Sequence, residues 1–416
     1  MIYDPPTVAE PSKIKESLRC YERRLCPVCG SSHSRFLHSQ SFEQLSEINL
    51  LDGYDVVVCQ DCGAGFADRI PPQAVFDAYY RDHSKYEYEY RGGQGTEYED
   101  LRFREAAKSI IRYIPDRRSR ILEIGCATGH LLSLLREQGY ENVQGVDPSP
   151  GCVKAAWDVY RISVRVHTIF NIPDPDKSFD VLLLLGVMEH IRDLDRAIDK
   201  IRALLAPRGR VYLAVPDAAL FEGNHDAPFQ EFSEGHLNFF SLTSLATLMQ
   251  TRGFQFLSGG RFLLEYSRGT WCASVYGVFE KTDLEKKSWV RDEETERGLA
   301  TYIRKSQEVE ARVRQTIDEI AASGRSILVW GTGLHTQRLL AMSSLGKVNI
   351  AAFVDSNPKY QGQQLHGVPI LAPGRLAGRT EPILISSYAA QHEIAQQIRE
   401  KLRLANELIL LYELPQ

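Results

Sequence analysis

The chain has 416 residues, of which 43% are hydrophobic and 25% charged, and a formal net charge of -5. One hydrophobic core stops growing well before that length, so two or three domains are expected. The slight acidic excess leaves no electrostatic footprint for a nucleic-acid partner. The longest strongly apolar stretch, Val181 to Met188, is far short of a membrane span. The opening residues, Met1-Ile-Tyr-Asp-Pro-Pro, carry no basic segment followed by an apolar run. The expectation is a cytoplasmic protein acting on a small molecule, with neither nucleic acid nor membrane as partner.

The first block runs to about Tyr90 and holds two Cys-x-x-Cys pairs, Cys26-Pro-Val-Cys29-Gly and Cys59-Gln-Asp-Cys62-Gly. Each places two thiolates on a knuckle whose backbone amides can hydrogen-bond the sulfurs. Four thiolates with no open position point to a structural, tetrahedral Zn2+ site. The other cysteines, Cys20, Cys126, Cys152 and Cys272, are scattered and suggest no disulfide framework. His33 and His38 lie nearby and read as solvent-exposed. The block ends in an aromatic and charged run from Asp77 to Tyr90.

The second block, about 91–282, alternates helical and strand patterns. Helical periodicity covers Leu101 to Tyr113, and apolar strand runs follow at Ile121–Ile124, Val143–Val146, Val181–Leu185 and Val211–Val215. Helix-length segments separate them, which implies a parallel sheet with crossover helices. Phe254–Leu257 and Trp271–Phe279 read as an antiparallel edge.

The first strand runs into a glycine turn, Ile121-Leu-Glu-Ile-Gly-Cys-Ala-Thr-Gly129, and the second strand ends at Asp147. Glycines at such a strand-to-helix turn let backbone approach a ligand. A carboxylate at the end of the next strand can accept both hydroxyls of a ribose. A dinucleotide site needs a central glycine where its pyrophosphate meets bare backbone. Here Cys126 and Ala127 stand in the turn, which suits a ligand without phosphate, such as S-adenosylmethionine.

These residues resemble the first motif of class I methyltransferases. Ser178-Phe-Asp180 through Gly186-Val-Met-Glu-His190 is similar to that class's fourth-strand motif, and Leu204 to Pro216 to its fifth. The resemblance implies that Glu123, Gly125, Ala127 and Gly129 hold the methionine part of the donor. It implies likewise that Asp147 holds the ribose, Pro148 one face of the adenine, and that Leu185 and Gly186 lie beside the sulfonium.

A zinc module ahead of such a domain, with a further α/β unit behind it, resembles the sugar C-methyltransferases that act on nucleotide-linked keto-sugars. In that family the segment after the second cysteine pair, here including Tyr80 and Tyr86, covers the active site. The loop after the fifth strand reads Phe229-Gln-Glu-Phe-Ser-Glu-Gly-His236. A histidine there can take a proton from a carbon beside a carbonyl, or from a hydroxyl. The family's motif is tyrosine, a spacer, glutamate, histidine; this chain has Ser233, Glu234, Gly235 and His236. The histidine is kept, the tyrosine is serine, and the glutamate falls one position early. His236 is therefore the expected base with Glu234 beside it, and C-methylation is favoured with O-methylation open. His190 is a further candidate facing the acceptor, with helix capping as its ordinary alternative.

The third block, 283–322, is charged and free of proline, and reads as one or two connecting helices. The fourth, 323–416, opens on a second strand and glycine turn, Val329-Trp-Gly331-Thr-Gly333-Leu-His-Thr336, and Asp355 ends its next strand. It resembles the C-terminal unit of the same family and the small nucleotide-sugar-binding domain of bacterial sugar acetyltransferases. Gly331, Gly333 and Asp355 would then bind the nucleotide part of the substrate; a vestigial domain that only packs is the alternative.

The expected architecture is α/β: a class I methyltransferase seven-stranded sheet between a small N-terminal zinc module (1–90) and a C-terminal Rossmann-like α/β domain (323–416). The competing class is a zinc-plus-Rossmann scaffold that binds ligand without turnover.

Overall fold

The computed structural model describes residues 21–42, 50–82, 95–173, 179–224, 227–267, 269–284, 288–388 and 390–412. Three sheets organise them. The first is antiparallel, built from β1 (Ser34–Ser41), β2 (Gly53–Cys59) and β3 (Gly65–Asp68). Its fourth strand, β9 (Asn238–Phe239), pairs with β3 from beyond the second sheet. The first 90 residues therefore do not close this sheet alone.

The second sheet holds β4 (Ile121–Ile124), β5 (Val143–Asp147), β6 (Val164–Val166), β7 (Phe179–Leu185), β8 (Leu205–Pro216), β10 (Phe254–Ser267) and β11 (Thr270–Lys281). Their order is β10-β11-β8-β7-β4-β5-β6. From β8 to β6 the strands are parallel; β10 and β11 form the antiparallel edge. Helices cover both faces, so the central strands are apolar along their whole length. Leu122, Leu182, Leu184 and Leu213 bury on one face and Ile121, Val181, Leu183 and Tyr212 on the other, the alternation a pleated strand requires. The pair β10–β11 is longer than its apolar runs suggested, because bulges keep it registered out to Ser267 and Thr270.

Connectivity places the ligand end. The chain runs β4, β5, β6 outward and then returns to β7 on the other side of β4. At such a reversal the loops leaving the two strands diverge and open a crevice at the carboxyl ends. The turn after β4 and the turn after β7 line it.

The third sheet, order β14-β15-β13-β12-β16-β17, comprises β12 (Ile327–Trp330), β13 (Ile350–Val354), β14 (Gln364–Leu365), β15 (Val368–Leu371), β16 (Ile383–Ile385) and β17 (Leu408–Leu410). All its pairings are parallel except β14 with β15.

A single helix, Glu293–Ser323, joins this unit to the rest. Asp292 caps it by accepting the Thr295 N–H, and Gly324 ends it in the left-handed region at φ 62°. Its first half buries Leu299, Tyr302 and Ile303 against the first sheet; its second half buries Val313, Ile317 and Ile320 in the core of the third. No helix among the described residues is long and apolar enough to cross a membrane.

Candidate functional site

The turn after β4 uses three left-handed residues, Gly125 (φ 72°), Ala127 (φ 45°) and Gly129 (φ 72°). Glycine is needed at 125 on two counts: its φ, and the 2.6 Å that a Cβ there would leave to Val187 Cγ2. Ala127 is held in its strained conformation from outside. Its N–H donates to Asp147 Oδ2 at 2.9 Å, while Asp147 Oδ1 accepts the Ser149 N–H at 2.9 Å. Asp147 thus braces the turn, and each of its oxygens keeps a second lone pair for a ligand. Pro148, next to it, and Leu185, at the end of β7, are half-buried, and Gly186, at φ 67°, is exposed.

Glu123, the last acidic residue before the turn, is 3% exposed. Its Oε2 has no hydrogen-bond partner, and burial, with Asp147 nearby, pushes its carboxyl up to about 8. An orphaned buried acceptor at the foot of a glycine turn fits the ammonium of a methionine moiety. On that ground the residues present fit S-adenosylmethionine.

Across the crevice, three donor groups from distant parts of the chain converge. Donor atoms of Glu189, His190 and His236 all lie within 4.8 Å of one another. Glu189 and His190 come from the short turn Met188–His190 that follows β7, and a Cβ on Gly186 would sit 3.6 Å from Glu189 Oε1. His190 is not a helix cap. Its Nδ1 lies 2.7 Å from the Gly235 carbonyl and 3.0 Å from the Tyr80 hydroxyl. Its ring centroid is 5.1 Å from that of His236. His236 in turn has Nδ1 2.9 Å from the Glu231 carbonyl and 3.7 Å from Glu231 Oε2. A neutral imidazole facing a carbonyl must carry its proton on that nitrogen, so both rings present Nε2 as the basic nitrogen.

Glu234, the acid expected beside His236, is engaged elsewhere. Its Oε2 accepts the Leu50 N–H at 3.2 Å, and burial raises its carboxyl above the usual range. The carboxylates at the histidines are Glu189 and Glu231. Glu189 lies within the Ser178–His190 motif; Glu231 lies in the His236 loop, between Phe229 and Phe232, an acid in an aromatic run, which is the signal the sequence offers. Tyr80, on the helix Gln73–Asp82, belongs to the cluster, and Tyr86 lies outside the described residues. His38 is not solvated: it stacks on Phe229 of the His236 loop at 4.5 Å, and burial lowers its pKa.

The four paired cysteines also converge. Cys26 Sγ is 3.5 Å from Cys62 Sγ, and Cys29 Sγ is 3.5 Å from Cys59 Sγ. A tetrahedral ion at about 2.3 Å from each thiolate requires edges of about 3.8 Å, so the donor set and its spacing fit Zn2+.

In the third sheet, Gly331 (φ 113°) and Gly333 form the turn after β12. Asp355, past the end of β13, accepts from both N–H and hydroxyl of Thr332, at 3.0 and 2.5 Å. The arrangement repeats the Ala127–Asp147 brace. A Cβ at Gly331 would meet Ser386 Oγ at 2.8 Å, whereas one at Gly333 meets nothing within 4 Å. Thr336, where a dinucleotide turn needs glycine, is buried against Ser386 Oγ at 2.6 Å.

Comparison with known proteins agrees with this geometry. Residues 98–258 match a family of methyltransferase domains, and residues 323–410 match the C2185-like N-terminal family. The chain is 26% identical over 280 residues to the C-methyltransferase NovU of Streptomyces niveus, covering 62% of this chain and 63% of that protein. It is 29% identical over 136 residues to a probable S-adenosylmethionine-dependent methyltransferase of Mycolicibacterium smegmatis, covering 32% and 51% of the two chains. With the ubiquinone biosynthesis O-methyltransferase of Azorhizobium caulinodans, it shares 35% over 95 residues, 22% of this chain and 37% of that one. The chain thus spans less than two thirds of the length of each of these relatives. The matched segment holds β4, the glycine turn, Asp147 and the turn after β7, and residues 98–258 form a class I S-adenosylmethionine-dependent methyltransferase domain.

Proposed function

We propose that this chain methylates a nucleotide-linked sugar, at the carbon beside a keto group, with S-adenosylmethionine as donor and His236 as general base. The observation that carries the reading is the meeting of His236, His190 and Glu189 beside Gly186, at the mouth of the crevice that the glycine turn shares. Bound there, S-adenosylmethionine supplies a methyl group on a positively charged sulfur. Glu123, Gly125, Ala127 and Gly129 hold its methionine part. Asp147 holds the ribose and Pro148 one adenine face, while Leu185 and Gly186 border the sulfonium.

His236 Nε2 takes the proton from the acceptor carbon, and the electron pair left behind forms the new bond to the methyl carbon. The sulfur keeps the pair of the bond that breaks. General-base assistance of this kind contributes about 10²–10⁴-fold. His190, positioned by Tyr80 and the Gly235 carbonyl, faces the same oxygen-bearing end of the acceptor. Four cysteines, Cys26, Cys29, Cys59 and Cys62, hold a structural Zn2+. The C-terminal unit is Rossmann-like, and Gly331, Gly333 and Asp355 hold the nucleotide. The similarity to NovU supports carbon as the acceptor.

O-methylation is the second reading, favoured by one observation: glycine at 235 leaves the position of the family's glutamate filled by the Tyr80 hydroxyl and the His190 ring. Both readings are tested by incubating a uridine diphosphate-linked keto-sugar with the enzyme in heavy water, then adding methyl-labelled donor. Deuterium uptake beside the carbonyl, lost in His236→Gln, and a carbon-bound methyl are expected. An oxygen-bound methyl transfers the proposal to the hydroxyl. Absence of donor binding by calorimetry, or donor binding unaltered by Asp147→Ala, overturns the enzyme reading.

A further inference from the structure

A buried polar chain ends at His236, and nothing in the methyl-transfer scheme above uses it. Asn224 is 3% exposed, and its Oδ1 accepts the Ala273 N–H of β11 at 2.9 Å. With the carbonyl end fixed in that way, its Nδ2 donates to Glu231 Oε1 at 2.6 Å. Glu231, 6% exposed, therefore has one oxygen clamped to the central sheet, and its other oxygen stands 3.7 Å from His236 Nδ1. Its main chain is clamped as well: the N–H donates to the Tyr302 hydroxyl at 3.0 Å, and the carbonyl faces the same Nδ1 at 2.9 Å.

We propose that Glu231 is the positioning residue of His236, its carbonyl fixing the tautomer and its Asn224-held carboxylate stabilising the imidazolium; the proposal rests on the reading of His236 as the base. The division of labour follows from the two distances. The nearer carbonyl accepts the Nδ1–H, so the lone pair at Nε2 points toward the acceptor. The carboxylate stands just behind it and matters once the ring is charged. Taking a proton creates a positive charge in a place where little water enters, and an anion a few ångströms away is worth most there. Without Asn224 the buried carboxylate would lose a donor and be costlier to keep ionised.

Among the described residues, the other titratable groups around the pair include Glu189 and His190 from the turn after β7, Glu234 from the same loop, Tyr54 from β2, Tyr302 from the long helix and Tyr80 behind His190. Tyr54 is pushed above its ordinary value by burial and by Glu231 and Glu234, and so stays neutral.

The test compares Glu231→Gln, Glu231→Asp and His236→Gln, each checked for thermal melting and donor binding. Turnover of a uridine diphosphate-linked keto-sugar is followed against pH. Expected for Glu231→Gln is a fall in kcat of about 10–100-fold, smaller than the roughly 10²–10⁴-fold that the base itself supplies. Its acid limb moves to lower pH, since the imidazolium loses its partner, and both KM values stay within about twofold. Glu231→Asp restores the limb toward wild type. An inactive His236→Gln beside a Glu231→Gln enzyme with unmoved acid limb overturns the positioning role alone; an active His236→Gln overturns the base reading as well. If Glu231→Gln does not fold, nitrogen NMR of His236 in the intact protein decides. The proton on Nδ1 in the neutral ring supports the proposal, and the proton on Nε2 overturns it.

Discussion

The Tyr80 hydroxyl lies 3.0 Å from His190 Nδ1, and a Cβ added to Gly235 would come within 2.5 Å of that same hydroxyl. A tyrosine from the N-terminal segment, a histidine from the turn after β7 and a glycine from the His236 loop thus share one small space.

Tyr80→Phe removes the hydroxyl and keeps the ring. We expect kcat to fall about 3–10-fold, the loss of one hydrogen bond of about 1 kcal/mol at a reacting centre, with donor affinity unchanged by calorimetry. Gly235→Ala should cost more than Tyr80→Phe. Combining the two should cost less than the sum of the single changes, because the atom met at 2.5 Å is gone while His190 Nδ1 at 3.0 Å remains. An additive double mutant would contradict the shared-space account.

Donor affinity should depend on pH through Glu123. Burial and the nearby Asp147 raise its carboxyl to about 8, so it is protonated at neutral pH. An ammonium placed against it stabilises the ionised form, so binding releases a proton. Affinity should therefore rise with pH until about 8 and then level off. Glu123→Gln should weaken binding at pH 8 and flatten the dependence. Calorimetry in buffers of different ionisation heat reads the proton directly.

Arg24 ties the first sheet to the second. Its guanidinium donates to the Ala67 carbonyl at 2.9 Å and to the Arg192 carbonyl at 2.9 Å, and burial lowers its pKa to about 9. Arg24→Met keeps the apolar stem and leaves those carbonyls without a donor. A loss of about 2–4 kcal/mol is expected, read as a lower denaturation midpoint. An unchanged midpoint would mean water replaces the guanidinium.

Cys59→Ser should lower bound zinc and stability together. The cluster lies within the main core, beside Val28, Val57 and Phe66. Binding energy of a structural zinc is folding energy, so metal analysis and thermal melting should fall in step. Full zinc content in the variant would remove the four-thiolate assignment.

How much of this was legible beforehand follows the range of the interactions. The strand Ile121–Ile124, the glycine turn and Asp147 declare themselves locally, by apolar period and by residues that permit positive φ, and the structure places them together. The paired cysteines announce their own convergence by spacing. What was not legible depends on contacts between distant segments. Nothing in the run around Asn238 says that it completes a sheet with Gly65 and Phe66. Glu234 looked the better acid because it is nearer His236 in sequence, but a loop that turns back on itself brings Glu231 to the ring and sends Glu234 to Leu50. His38 looked exposed for want of any sign of Phe229.

The long helix Glu293–Ser323 contributes side chains to two separate cores and donates Tyr302 and Ser306 to the loop that carries His236. No scissor cut along it yields two intact halves. Truncation before Glu293 strips the loop of its struts, and truncation after Ser323 leaves Val313, Ile317 and Ile320 uncovered. Anyone dissecting this protein into minimal catalytic and accessory fragments should therefore expect co-expressed pieces to fail where the unbroken chain succeeds.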